Sequence, residues 1–133
     1  MSTRPLFVLD TGALIGYVHG TEAVGQILVD AADAAQTVAV PVVCLLEAYG
    51  RLDNDEHELL RMLRRNPSVI TVVPAIDLDT GDDCPAIGAM TRLTGRLGAA
   101  HAAYLGLVYA AAVVTSHAHE IHAALPKWKV IEV

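Results

Sequence analysis

Five short apolar runs limit what this chain can fold into. They are "PLFVLD" (residues 5–10), "TVAV" (37–40), "SVITVVP" (68–74), "AAVVTS" (111–116) and "WKVIEV" (128–133). Taken together they are apolar on both faces, the pattern of strands buried inside a sheet. "SVITVVP" is the clearest, being rich in β-branched residues. Helical stretches separate them. In "TEAVGQILVDAADAAQ" (21–36), Val24, Ile27, Leu28 and Ala31 fall at helical spacing, with Thr21 as N-cap. Thr11 opens a short helix that Gly20 closes. Pro41 suits the first turn of a helix carrying Glu47, because its missing N–H would be unpaired there anyway. Asn54 caps the next helix, which is acidic early and basic late and ends at Asn66-Pro67. A polar loop (75–85), two helices (86–96 and 97–109) and a helical turn (119–125) complete the reading. Strands alternating with helices predict an α/β fold with a central, mostly parallel sheet flanked by helices.

At 133 residues, with 53% hydrophobic and 18% charged residues, the chain is expected to be one domain, residues 1–133, with a buried core. The longest apolar stretch, residues 97–116, divides into a helix and a strand, so no membrane association is expected. Without a signal-peptide pattern at the N-terminus, a cytoplasmic protein is expected. Cys44 and Cys84 lack CxxC spacing and read as buried small hydrophobes in a reducing compartment. A net charge of −6 argues against a broadly basic nucleic-acid surface, and no nucleic-acid-binding residue is assigned. Arg61, Arg64 and Arg65 do share one helix face, which reads first as a solvated face near a helix C-terminus.

In open α/β sheets, ligands bind beyond the carboxyl ends of the strands. Asp10 ends the first strand, where it serves either as a site acid or as a capping residue. Glu47 is one of few charges in an apolar helix; it either faces a site or pairs with Arg51 four residues on. These two acids, with "FVLDTGALIGY" (7–17), "VPVVCLLEAYGR" (40–51), "GRLGAAHAAYLG" (95–106) followed by "AAVVTS", and the closing "KVIEV", make the chain resemble the PIN domain. Within that family it is similar to the VapC-type toxins of bacterial toxin–antitoxin pairs.

The resemblance implies a PIN-like three-layer fold and metal-dependent RNA cleavage. About four acids at the sheet edge would hold Mg²⁺ or Mn²⁺, hard ions that take oxygen ligands. Asp10 matches the first acid and Glu47 the second, which makes both metal-ligand and catalytic candidates. The third position carries Arg96, and residues 92–112 contain no acid to replace it. The fourth carries His117, within "SHAHEIH" (116–122), as a third ligand or an acid. Thr11, Arg96, His101, Thr115 and Ser116 are expected to line the site. Asp82, Asp83 or Glu120 would restore the missing acids if they fold in. A metal centre of His117, His119 and His122 is a lesser alternative, lacking a recognised zinc spacing.

Four ionised carboxylates would carry about −4, whereas Asp10, Glu47 and Arg96 sum to about −1, which favours an ion-pair network over a metal site. The resemblance therefore implies either a VapC-like endoribonuclease with weak or lost activity, or an inactive PIN-fold module that binds a protein partner or RNA. It also implies an antitoxin partner and a homodimer. A response-regulator-like domain would place an Asp at a strand end too. It would also want an acidic pair there and a late sheet lysine, and the only lysines are Lys127 and Lys129.

Overall fold

In the computed structural model the described residues are 5–66, 70–74 and 83–133. In chain order they form β1 (Pro5–Leu9), α1 (Thr11–Val18), α2 (Glu22–Asp33), β2 (Thr37–Pro41), α3 (Val42–Arg51) and α4 (Asn54–Arg64). Then come β3 (Ile70–Val73), α5 (Asp83–Thr94), α6 (Leu97–Tyr109), β4 (Ala112–Thr115), α7 (Ala118–His122), a 3-10 turn (Lys127–Lys129) and β5 (Val130–Glu132). The α/β class with a central sheet flanked by helices is as expected, and the described sheet is parallel throughout.

The strand order is β3-β2-β1-β4-β5. From β1 the chain builds outward through β2 and β3, then returns to place β4 on the other side of β1. The order therefore reverses between β1 and β4, and the crevice beyond their carboxyl ends is where such sheets bind ligands. Register fixes what arrives there. Leu9 lies opposite Val114, and the Asp10 N–H donates to the Val114 carbonyl at 3.1 Å. Asp10 and Thr115 thus leave adjacent strands side by side.

Both sheet faces are covered, which explains the unbroken apolar strands. Val8, Leu9, Val38, Ala39, Val40, Val113 and Val114 are buried, packed by Leu14, Val24, Leu60, Ala99, Ala103 and Ile121 from the helices. In α6, which packs on β1 and β2, the buried residues other than His101 and Leu105 are alanine and glycine, letting the helix sit close to the strands. No described helix is long and apolar enough to cross a membrane; the 97–116 stretch breaks at Ala110, whose left-handed φ of 53° ends α6.

Thr11 opens α1 as expected, and Asp10 ahead of it is the cap, its Oδ1 accepting from the Ala13 N–H at 3.0 Å. Several other local expectations are corrected. Asp53, not Asn54, caps α4 in a reciprocal capping box with Glu56. Pro41 ends β2 opposite Val73 and stands at the N-cap position, one residue ahead of the helix. Thr21 does hold the α2 N-cap position, but without a side-chain cap bond. The last strand starts only at Val130, after the 3-10 turn. Asp83 opens α5 instead of lying in a loop, while residues 75–82, Asp82 among them, lie outside the described residues. Cys44 is buried as expected, but Cys84, in the first turn of α5, is exposed.

Candidate functional site

The crevice beyond β1 and β4 is walled by α1, α3, α6 and α7, each of which supplies a polar side chain or its anchor. Asp10 and Thr11 come from the β1–α1 junction, and both are fully buried. Glu47 comes from the middle of α3, one turn past the buried Cys44. Arg96 is delivered by a two-residue link: Gly95, at φ 83°, ends α5, and Arg96 is extended at the N-cap position of α6. Only glycine takes that left-handed turn without strain. The Thr94 hydroxyl, within hydrogen-bonding distance of the Met90 and Arg96 carbonyls, pins the link. Glu120 comes from α7.

Arg96 joins these parts. Its Nη1 donates to Glu47 Oε1, and to Thr11 Oγ1 at 3.2 Å. Its Nε and Nη2 donate to Glu120 Oε2 at 3.2 and 2.8 Å. Thr11 Oγ1 in turn donates to Glu47 Oε1 at 2.7 Å. A helix N-terminus repels cations, so the guanidinium is held by the two carboxylates and not by α6. Burial works against its charge, but the Glu120 hydrogen bonds and the charges of Glu47 and Glu120 outweigh this and raise its pKa further.

Asp10 lies behind this network. One oxygen caps α1, so the capping role considered for it is real; the other, Oδ2, is buried without a hydrogen-bond partner. Burial raises its pKa above the ordinary carboxyl value, against the lowering effects of Thr115, the Ala13 N–H and the Arg96 charge. The Glu120 charge pushes in the same direction as burial. An under-satisfied buried carboxylate is costly and is seldom tolerated without a reason.

Two glycines make the crevice passable. A Cβ on Gly98 would run into the Glu47 carboxylate and stand 2.9 Å from Arg96 Nη1. A Cβ on Gly12 would collide with the Ser116 hydroxyl. Beneath the network, the Cys44 thiol donates to the Gly98 carbonyl at 3.1 Å.

The structure thus brings together Asp10, Thr11, Glu47, Arg96 and Thr115, and adds Glu120. Glu47 is engaged by Arg96 rather than by Arg51. Ser116 and His117 are exposed at the rim, where Ser116 Oγ and His117 Nδ1 lie 2.9 Å apart and the His117 N–H donates to Thr115 Oγ1 at 2.9 Å. His117 is therefore the N-cap residue of α7 and not an inner member of the cluster. His101 is fully buried, with Pro74 and Asp83 nearby, and burial lowers its pKa. It packs α6 rather than lining the cluster. Asp83 is bonded by the Tyr104 hydroxyl, so it does not supply a missing acid. Sequence reasoning missed Cys44 and Gly98 as parts of the site floor; the glycine directly ahead of the alanine run was the available signal.

The donors can be tested against the implied Mg²⁺ or Mn²⁺. A hard divalent ion needs several free carboxylate oxygens converging on one point. Here Glu47 Oε1 and Glu120 Oε2 are turned onto a guanidinium. Among the described residues no group of three His, Cys, Asp or Glu side chains is placed to hold a metal ion. In this arrangement the residues do not fit the ion.

No family model matches the chain, and no curated protein matches it. Among solved structures it is similar to the crystal structure of PAE2754 from Pyrobaculum aerophilum, with 16% sequence identity and a TM-score of 0.61. That match covers 97% of this chain and 91% of the other. At this identity the likeness carries the fold and nothing further: the chain shares its architecture with that protein over nearly all of its length.

Proposed function

We propose that this chain is a PIN-type protein, resembling the VapC toxins, whose nuclease centre has been closed by its own arginine, so that it acts by binding a partner and not by cutting RNA. The observation that carries the reading is the Arg96 bridge between Glu47 and Glu120. It commits two of the acids that metal-dependent cleavage would need and puts a cation in their midst.

A protein partner fits the surface better than RNA does. The net charge is −6, which disfavours a nucleic-acid surface. Instead, an apolar recess of about 310 Å³, lined by Leu28, Val29, Leu63 and Ile70 among others, opens between α2 and α4. Ile70 also belongs to the adjoining recess that Arg61, Arg64 and Arg65 surround. An acidic segment with apolar anchors, such as an antitoxin-like protein would offer, complements both.

A second reading keeps the nuclease. It draws on the unpartnered Oδ2 of Asp10 and on the arrival of Glu120, one of the acids able to restore the set. In that case the protein remains a VapC-like endoribonuclease using Mg²⁺ or Mn²⁺. Incubation of purified protein with mixed RNA and Mn²⁺, beside Asp10→Asn, separates the two. The closed centre predicts equal, background-level degradation by both proteins. Metal-dependent cleavage that disappears in Asp10→Asn would overturn it in favour of the enzyme.

A further inference from the structure

We propose that the open edge of β3, beside Arg61, Arg64 and Arg65, takes an extended acidic segment of a partner protein as an added strand, with acids at alternate positions of that segment set against the arginines. The proposal deepens the partner-binding reading, on which it rests, by naming where the partner's chain runs and what pattern it carries.

Three observations carry it. First, β3 pairs with β2 and, among the described residues, with no other strand. The Ile70 N–H is taken by the Asn66 carbonyl at 2.9 Å, so the ladder with β2 starts from Thr71. Residues of a parallel strand turn their N–H and C=O alternately to the two sides. Thr71 and Val73 therefore face β2, and Val72 faces the open edge. Second, the same bond ties the start of β3 to the end of α4, which brings the arginines alongside. Arg61, Arg64 and Arg65, all exposed, border a recess of about 410 Å³ with Ile70 and Val72, which share one face of β3. Third, this corner carries excess positive charge in a chain of net charge −6. Glu58 serves both Arg61 and Arg65, at 3.0 and 3.9 Å, and among the described residues no acid pairs with Arg64.

The end of α4 favours each arginine singly, but it does not account for their standing over an unpaired strand. Like charge beside an open edge deters a second copy of that edge and favours a strand of opposite charge. In strand addition the main chain supplies affinity and alternate side chains supply specificity. Acids at every second position of the added strand share a face, and that face meets the arginines. An RNA phosphate run would meet the arginines too, but would leave the edge of β3 unpaired.

The test titrates the ¹⁵N-labelled full chain with a short synthetic peptide alternating Glu and Val, read by amide shifts and by fluorescence anisotropy of a labelled copy. Binding is expected to move the amides of Thr71, Val72 and Val73. A peptide of the same composition, with its Glu and Val residues in separate blocks, is expected to bind at least about tenfold more weakly. Arg61→Gln with Arg64→Gln, both at exposed positions, is expected to keep the wild-type melt and weaken binding by about tenfold at low salt, less as salt is added. Methylating the peptide's backbone nitrogens at every Glu, or at every Val, is expected to abolish binding in one case and spare it in the other, because only alternate N–H groups face β3. Binding that survives both methylations would reduce the contact to charge alone and overturn the proposal. Equal binding by the blocked peptide, or no binding by either at millimolar concentration, would do the same. Shifts confined to Leu28, Val29 and Ala32 would overturn it while leaving the partner-binding reading in place. Tighter binding of a polyuridine oligonucleotide at the same arginines would overturn it in favour of RNA. Metal-dependent RNA cleavage by wild type would remove the partner-binding reading, and this proposal with it.

Discussion

Arg96 directs two of its guanidinium nitrogens, Nε and Nη2, at one oxygen of Glu120, at 3.2 and 2.8 Å, across 24 residues of chain. Both side chains are about one-fifth exposed, at 20% and 22%. The pair is therefore neither a screened surface bridge nor a fully desolvated one. A double-mutant cycle with Arg96→Gln and Glu120→Gln, read by urea unfolding, is expected to give a coupling of about 1–2 kcal/mol, between the ranges for exposed and buried pairs. Additive single mutants would mean that the bridge contributes nothing.

Asp10 makes the pH dependence directional. Its carboxyl is held above the ordinary value of 3.8 in the folded chain, chiefly by burial. A raised carboxyl pKa means that the ionised group opposes folding. The penalty is absent below the unfolded value, grows as pH rises through the folded value, and is complete above it. Asp10→Asn keeps an oxygen for the Ala13 N–H and removes the charge. It is expected to raise the melting temperature by a few degrees at pH 7, with the advantage fading as pH falls toward 3.8. A lower melting temperature at pH 7 would show that the carboxylate is better satisfied than its Oδ2 indicates.

The two cysteines should differ sharply. Burial, with the Asp10 charge adding to it, pushes the Cys44 thiol far above its usual range, and its proton is given to the Gly98 carbonyl. Cys84 is exposed. Titration of the native protein with a thiol-reactive chromophore is expected to label Cys84 alone, with Cys44 reacting only after denaturation. Labelling of both in the native state would mean that the α3–α6 contact opens readily.

Ala110 holds a left-handed φ of 53° at the exposed end of α6. A Cβ in that conformation is unfavourable, and glycine is the usual occupant of such a position. Ala110→Gly is expected to stabilise the protein by about 0.5–1 kcal/mol, allowing for the extra freedom glycine has when unfolded. A destabilised variant would show that the methyl group packs usefully.

Much of this could be read before any fold was known. The doubly apolar strands implied a parallel sheet, and a carboxylate at the end of the first of them pointed to the crevice beyond β1. Glu47 stood out as one of few charges in an apolar helix, and it meets Arg96 and Thr11 in the crevice. What could not be read was pairing across distance. Arg96 and Glu120 meet because a two-residue link turns the chain back from α5 into α6, and because α7 packs against both helices; neither turn announces its direction in residue types. His117 was placed near the site by position alone, yet the junction after β4 spends its backbone N–H on Thr115 and leaves the ring at the rim. His101, on an alanine-rich face, could be read as either a helix-packing or a site-rim residue, because helical phase says which side is apolar but not which neighbour it meets. The Asp53 cap was legible and overlooked: an acid followed three residues later by Glu56 is a capping box.

A closed centre requires Arg96 to keep divalent ions out of the crevice. The most direct measurement is a two-dimensional amide NMR spectrum of the ¹⁵N-labelled wild-type protein, titrated with paramagnetic Mn²⁺. With the centre closed, the amide signals of Thr11, Ala13 and Gly98, which border the Arg96 network, are expected to keep their intensity as Mn²⁺ is added. Selective loss of those signals at low Mn²⁺ would place the ion among Asp10, Glu47 and Glu120 in the wild-type protein, and would contradict it.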